Sequence, residues 1–484
     1  MDFVLCLVFG AIFFGGTMDF QPGIISSKGK YVKRGQKEIK YPEGFIWAAA
    51  CSSYQSEGAW NEDGKSPSSW DVFCKKPGIV KGGSDATIAI DHYHRYKSDI
   101  KIMKDIGIKA YRFSTSWPRI IPNGTGKVNE KGLDHYDRYV DELLKNGVRP
   151  YLNLYHWDMP NVQELRGGFR TKETSRAFAD YAIAVVKRLG DRVKDWMTFN
   201  EIKHIWEGCY NSNWNAPGLH LSEKVNNQAY HNVNLAHGLA TNAIRAYSKR
   251  TDVEIGLVHA LWIRMPKDEK NRKDVLAAEK CFLEKSGRLI DPIYKGEYPK
   301  NTFSPGAEPE ITREEMRIIS TPMDFFGLNV YGGFDVLHDA KAKNGWREIE
   351  SDPSVPVTSM NWGVTPKAMY WAIKYVYDNY DVKKMYLTEN GAAYIDTVTH
   401  DGRIHDWDRI EFLSKYISEM KRAISDGYKV DGYFLWSLFD NFEWAGGYTQ
   451  RLGAVYVDYP TQKRIYKDSA YWYKDLIRKN SLTI

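Results

Sequence analysis

The stretch Gly147-Val-Arg-Pro-Tyr-Leu-Asn-Leu-Tyr-His-Trp-Asp158 decides the fold. Residues 149–156 read as a buried strand, and they follow a helical pattern over 131–146 that Gly147 closes. A second helical pattern, 174–189, comes next, and then another strand, 194–200. Strand, helix and strand in this order predict parallel strands joined by crossover helices. The alternation extends in both directions. Further strands are expected at 45–51, 109–114, 254–262, 324–331, 384–389 and 432–437, and further helices at 91–106, 228–247, 274–294, 366–379, 409–426 and 469–479. Gly107 and Gly427 close helices as Gly147 does. No linker interrupts the chain from Tyr41 onward. Eight strand-then-helix units in one continuous domain predict an α/β fold, a single (β/α)8 TIM barrel over residues 41–484, rather than two doubly wound domains.

Composition narrows the function. The chain has 484 residues, 43% hydrophobic and 26% charged, which excludes wholesale disorder and a polytopic membrane protein. Lys and Arg number 67 against 61 Asp and Glu, and a surplus of +6 over this length is too dilute for a nucleic-acid footprint. Aromatic residues make up 14%, with 16 Trp and 32 Tyr. Flat apolar faces with one polar edge suit carbohydrate rings as well as large cores. Cys6, Cys51, Cys74, Cys209 and Cys281 contain no Cys-x-x-Cys pair, so they suggest neither a zinc ribbon nor a dithiol centre and read as buried thiols; with Cys6 lost in a leader, the remaining four would allow one or two disulfides.

The apolar run Phe3-Val-Leu-Cys-Leu-Val-Phe-Gly-Ala-Ile-Phe-Phe14 matches a signal-peptide core and is too short to span a bilayer. Residues 1–18 are therefore expected to be a signal peptide, making the protein secreted or periplasmic, with no membrane attachment once the leader is removed. The alternative is a cytoplasmic protein starting at Met18, because the residues before the run include Asp2 and no Lys or Arg. Residues 19–40, rich in Gly, Ser and Lys, read as a linker or unpacked arm.

In such a barrel the chemistry sits where strands end. The first strand runs into Ser53-Tyr-Gln-Ser-Glu57, so Gln55 lies at the site; the second contains Arg112; the third ends Tyr155-His156-Trp157-Asp158. The fourth ends Thr198-Phe-Asn200-Glu201, the sixth gives Asn329 and Tyr331, and the seventh gives Thr388-Glu389-Asn390-Gly391. The eighth gives Trp436, with Glu443-Trp444 in the loop that follows. A lone Glu after a strand is ordinarily a surface carboxylate. Two of them, each beside an Asn and with indoles closing neighbouring strands, supply what acetal cleavage requires: an acid to protonate the leaving oxygen and a carboxylate to take the anomeric carbon.

At these residues the chain resembles the family-1 glycoside hydrolases, the β-glucosidase family. The resemblance rests on Thr198-Phe-Asn-Glu201, Leu387-Thr-Glu-Asn-Gly391, Tyr111-Arg-Phe-Ser114 with Ser116-Trp-Pro-Arg119, and Asp440-Asn-Phe-Glu-Trp444 followed by Val455-Tyr-Val-Asp458. It implies a cofactor-free, retaining double displacement on β-linked glycosides, with a small carbohydrate as substrate. Glu201 matches the family's acid/base and Glu389 its nucleophile, and Asn200 matches the residue that holds the sugar 2-hydroxyl. Arg112 and Tyr331, beside Asn329, match the groups that support the nucleophile and keep it ionised. Gln55, His156, Tyr331, Trp436, Glu443 and Trp444 match positions around the terminal sugar. Two positions depart from the family pattern: Ile202 stands where Pro usually follows the acid/base, and Val330 where an aromatic is usual. Residues 207–215 also depart, which predicts a reshaped leaving-group entrance.

Two rivals weigh less. His92-Tyr-His94 has the spacing of a metal pair in barrel amide hydrolases, but at the start of a helix a spacing of two turns the side chains roughly 200° apart. A catalytically silent sugar- or protein-binding member of the same fold would typically lack one glutamate, and this chain has both. Relatives that cleave thioglucosides carry Gln at the position of Glu201. The choice of leaving group falls to segments 202–215 and 335–357, neither of which carries a motif.

Overall fold

A computed structural model describes residues 38–350 and 352–483, so the expected signal peptide and most of the expected linker lie outside the described residues. Glu38–Lys40, the end of that segment, is a strand and not an unpacked arm, with Ile39 half-buried between two exposed charged neighbours.

Residues 40–482 are one compact unit. Its centre is a closed barrel of eight parallel strands: β1 (Ile46–Ala50), β2 (Ala110–Ser114), β3 (Arg149–Tyr155), β4 (Asp195–Asn200), β5 (Glu254–Ala260), β6 (Phe325–Asn329), β7 (Met385–Asn390) and β8 (Gly432–Trp436). They pair in chain order, and β8 closes on β1 with Gly432 opposite Ile46. Each strand is followed by a long helix: α1 (His92–Ile106), α2 (Glu130–Lys145), α3 (Lys172–Leu189), α4 (Glu223–Tyr247), α5 (Arg272–Tyr294), α6 (Lys367–Asn379), α7 (Trp407–Ser425) and α8 (Asp468–Lys479). Strands covered on both faces read as continuous apolar runs, which is why all eight are visible in the sequence. Gly107 caps α1 at φ 91°, its N–H bonded to the carbonyls of Met103 and Lys104.

The barrel is plugged by side chains of unequal size, small on its first two strands and aromatic on its last three. Ala48, Ala110, Tyr151, Met197, Val258, Phe325, Tyr386 and Phe434, one from each strand, form a buried cluster beneath Trp436 and Ala50. This plug is the floor of the site. Two strands lose register near their carboxyl ends: β4 against β5 between Met197 and Asn200, and β7 against β6 between Leu387 and Glu389. A bulge of this kind re-aims the side chains beyond it.

Part of segment 335–357 is built into a small sheet. Gly333–His338 pairs antiparallel with Trp346–Glu348 and parallel with Ile263–Pro266. Cys51, Cys74, Cys209 and Cys281 are buried free thiols, as the sequence reading expects of them, and Cys6 lies outside the described residues. Among the described residues, no helix is long and apolar enough to cross a membrane.

Candidate active site

Glu201 follows β4 directly, in the left-handed region at φ 53°, with its N–H donated to the Val258 carbonyl of β5 at 2.9 Å. Glu389 lies inside β7, at the end of the Tyr386-Leu-Thr-Glu run that pairs with β6 and one residue before the strand ends. Gly391 fixes the path beyond it: a Cβ there would stand 1.7 Å from the Trp436 carbonyl, so a larger residue would force β7 and β8 apart.

Both carboxylates line one cavity of about 250 Å³ with His156, Asn200, Tyr331, Trp436, Glu443 and Trp444. Arg112 is fully buried beneath the cavity; its Nη1 donates to Glu389 Oε1 at 2.5 Å and its Nη2 to Asn200 Oδ1 at 2.5 Å. Tyr331 Oη donates to Glu389 Oε2 at 2.7 Å. Asn329 serves the other glutamate: its Nδ2 donates to Glu201 Oε1 at 2.6 Å and to Asn200 Oδ1 at 3.3 Å, and Thr388 donates to its Oδ1 at 2.7 Å. One hydrogen-bonded chain thus runs from Glu201 through Asn329, Asn200 and Arg112 to Glu389. The sequence reading places Asn329 with the nucleophile; the structure bonds it to Glu201, because the end of β6 lies between β7 and the turn after β4–β5.

At the far end, Gln55 is fully buried and its Nε2 is shared among Glu443 Oε2 at 3.2 Å, Asn441 Oδ1 at 3.2 Å and the Phe442 carbonyl at 3.0 Å. Gln55 therefore orients Glu443, which itself faces the cavity. His156 stacks between Trp436, at 5.6 Å and 22°, and Trp444, at 5.8 Å and 19°. Its Nε2 lies 3.0 Å from Asn200 Nδ2. Asn200 Oδ1 already accepts from Arg112, so its amide nitrogen faces His156, and a donor there leaves the ring proton on Nδ1. That atom has no partner among the described residues, which leaves it free to donate to a hydroxyl. Burial, with Arg112 nearby, holds His156 well below the usual histidine range, and the ring is neutral.

Three carboxyls share this site with one guanidinium. Burial is the largest influence on Glu389 and pushes it up to about 7; Arg112 pulls it back, the charge of Glu201 adds to the rise, and Tyr331 opposes it. Burial raises Glu201 too, but His204, Asn329 and Arg112 together hold it below the usual range. Burial and the charges of Glu389 and Glu201 push Glu443 up to about 8. The charge of either carboxylate raises the other, and the guanidinium and phenol that bond Glu389 favour the charge there, which leaves the proton to Glu201.

The leaving-group side is lined by residues that the sequence did not single out: His204, Trp214, Trp262, Met360 and Trp362. His204 and Trp214 come from the segment after Glu201, as its departures suggest, whereas Met360 and Trp362 lie just past segment 335–357. A spacing of three from Glu201 on a helical turn was the available signal for His204. His92 and His94 do not converge: His92 is buried against Asp99 at 2.7 Å, and His94 is exposed against Asp91 and Glu62 at 2.6 and 3.0 Å. Among the described residues, no group of three or more His, Cys, Asp or Glu is placed to hold a metal ion.

A TIM barrel whose fourth and seventh strands deliver two glutamates into one aromatic-walled cavity defines a glycoside hydrolase. The chain belongs to glycosyl hydrolase family 1, whose model matches residues 37–482. It is 42% identical to β-glucosidase A of Thermotoga maritima, over 92% of this chain and 99% of that one, and 40% identical to β-glucosidase A of Acetivibrio thermocellus over the same shares. The solved structure of the Thermotoga maritima β-glucosidase in complex with glucoimidazole superposes with a TM-score of 0.84, at 42% identity, covering 91% of this chain and 99% of that one.

Proposed function

We propose that this protein is a retaining β-glucosidase that removes terminal, unphosphorylated β-D-glucosyl residues from oligosaccharides or aryl and alkyl glycosides. The observation that carries the reading is the pairing of Glu201 and Glu389 across one cavity, each held by its own donors. In the first step a Glu389 carboxylate oxygen bonds to the anomeric carbon, the bond from that carbon to the leaving oxygen breaks, and the Glu201 proton passes to that oxygen. In the second, Glu201 takes a proton from water, whose oxygen bonds to the anomeric carbon as the bond to Glu389 breaks, and the β configuration is restored. Arg112 and Tyr331 bond the ionised form of Glu389 and stabilise it as nucleophile and as leaving group. Asn200, held by Arg112 and His156, is the residue assigned to bind the 2-hydroxyl of the sugar.

Glu443 supports the choice of an unphosphorylated sugar. A carboxyl beside the Trp436 and Trp444 rings grips neutral hydroxyls, and once ionised it would repel a phosphate. The glucoimidazole complex of the Thermotoga maritima relative supports glucose as the sugar. The test is turnover of a panel of nitrophenyl glycosides, with β-glucose as the first-formed product by proton NMR. Faster cleavage of a 6-phosphoglucoside, or α-glucose formed first, would overturn the reading. Cellobiose belongs among the oligosaccharide substrates in this panel. Residues 1–18 are proposed as an export leader, and sequencing the amino terminus of the mature protein tests it; an intact Met1 or a start at Met18 would refute it.

A further inference from the structure

His204 stands against Glu201 in a manner that neither the strand ends nor the barrel requires. After Glu201 the chain makes one helical turn, Ile202–His204, and this brings His204 Nε2 to 2.9 Å from Glu201 Oε2. The imidazole is confined on both sides: it stacks on Trp157 at 4.6 Å and 16° and meets Trp214 edge-on at 5.0 Å. Trp157 is itself tied to the Asn200 carbonyl at 2.9 Å, so the ring is held by the same strand end that carries the glutamate. Its Nδ1 is buried and has no partner among the described residues. A carboxylate oxygen can only accept, so the ring nitrogen that faces Glu201, Nε2, is the one that carries a proton. Glu201 is then bonded on both oxygens, by Asn329 at Oε1 and by His204 at Oε2.

We propose that His204 is a positioning residue that holds Glu201 as its hydrogen-bonded carboxylate and so limits the pH range over which Glu201 acts as a general acid. The proposal rests on Glu201 being the acid/base. A donor to the ionised form favours that form, and the acid must be protonated to cleave an unactivated glycoside. The other titratable groups around the pair are Arg112 from β2, His156 after β3, Tyr331 after β6, Glu389 from β7 and Glu443 after β8. On its own segment, Lys203 pairs with Glu207 at 3.5 Å. His204 is the one among them that meets Glu201 at Oε2.

The experiment measures kcat/KM against pH for octyl β-glucoside, which needs the acid, and for 2,4-dinitrophenyl β-glucoside, which does not. In His204→Phe, which keeps the stacked ring and loses the donor, the alkaline limb for the octyl substrate is expected to move up by about 1 pH unit. His204→Ala should do the same and serves if the Phe variant does not fold, and His204→Gln, which restores a neutral donor, should bring the limb back toward that of the parent. The dinitrophenyl profile should keep its alkaline side. An unmoved octyl limb in the folded Phe or Ala variant, or an equal displacement for both substrates, would overturn the proposal. Glu201→Ala separates the two readings: if it cleaves octyl glucoside normally, the assignment of Glu201 has failed, whereas loss of that activity with an unmoved His204→Phe limb refutes only the role of His204.

Discussion

Tyr331 and Glu389 are joined by a phenol hydrogen bond of 2.7 Å to Oε2, on the oxygen that Arg112 leaves free. Tyr331→Phe removes a donor to the ionised carboxylate, so the proton is held more tightly and the acidic limb of kcat/KM moves to higher pH. A hydrogen bond to a charged group is worth about 1.5–3 kcal/mol, so the variant is expected to lose roughly tenfold or more in kcat/KM below neutrality and to recover part of that loss above it. A pH series on one nitrophenyl glucoside measures both.

Removal of either glutamate should fail in a distinct way. Glu389→Gly cannot form the glycosyl-enzyme and should lose at least about 10⁴-fold in turnover of every substrate. Glu201→Gly should retain a burst with 2,4-dinitrophenyl glucoside and then stall, because water lacks its base. Azide should rescue Glu201→Gly as the β-glucosyl azide and Glu389→Gly as the α anomer, and NMR of the two products distinguishes them.

Glu443 provides a test of stability against pH. Its folded value of about 8 lies above its ordinary value of 4.5. Between those two pH values the folded chain holds a proton that the unfolded chain releases, so stability from this group is present at low pH and is lost as pH rises through about 8. Glu443→Gln should therefore raise Tm more at pH 8.5 than at pH 5, while weakening glucose inhibition at both. Calorimetry at the two pH values and a product-inhibition assay check the pair of effects.

Trp214 lines the leaving-group side and is 43% exposed, so it has an open face to offer a ring. Trp214→Ala should raise KM for aryl glucosides about fivefold, the worth of one aromatic contact of about 1 kcal/mol, and leave methyl glucoside nearly unaffected. Comparing the two substrates on one enzyme preparation isolates the effect.

The sugar end of this site was legible and the leaving-group end was not, for a physical reason. Glu201, Glu389, Arg112 and Trp436 sit on or beside strands whose runs of buried residues announce them, and their positions follow from the barrel. After Glu201 the chain enters a helical turn that widens into a π-helix, Ile205–Cys209, which has no sequence period of its own. His204 and Trp214 take their places from that irregular segment, and Met360 and Trp362 from a loop. Gln55 shows a finer limit: its position was clear, but only the three acceptors around Nε2 show that it supports Glu443.

The breaks in register within β4 and β7 have a bearing on how this scaffold can be altered. Since both glutamates are aimed by backbone pairing between strands, their mutual geometry does not depend on the long connections that wall the leaving-group side. Those connections can be exchanged, shortened or randomised as interchangeable parts while the bond-breaking apparatus stays fixed. A library confined to residues 205–215 and 357–362 should yield enzymes of new selectivity with the same stereochemical outcome, whereas a single insertion in either strand should silence all of them.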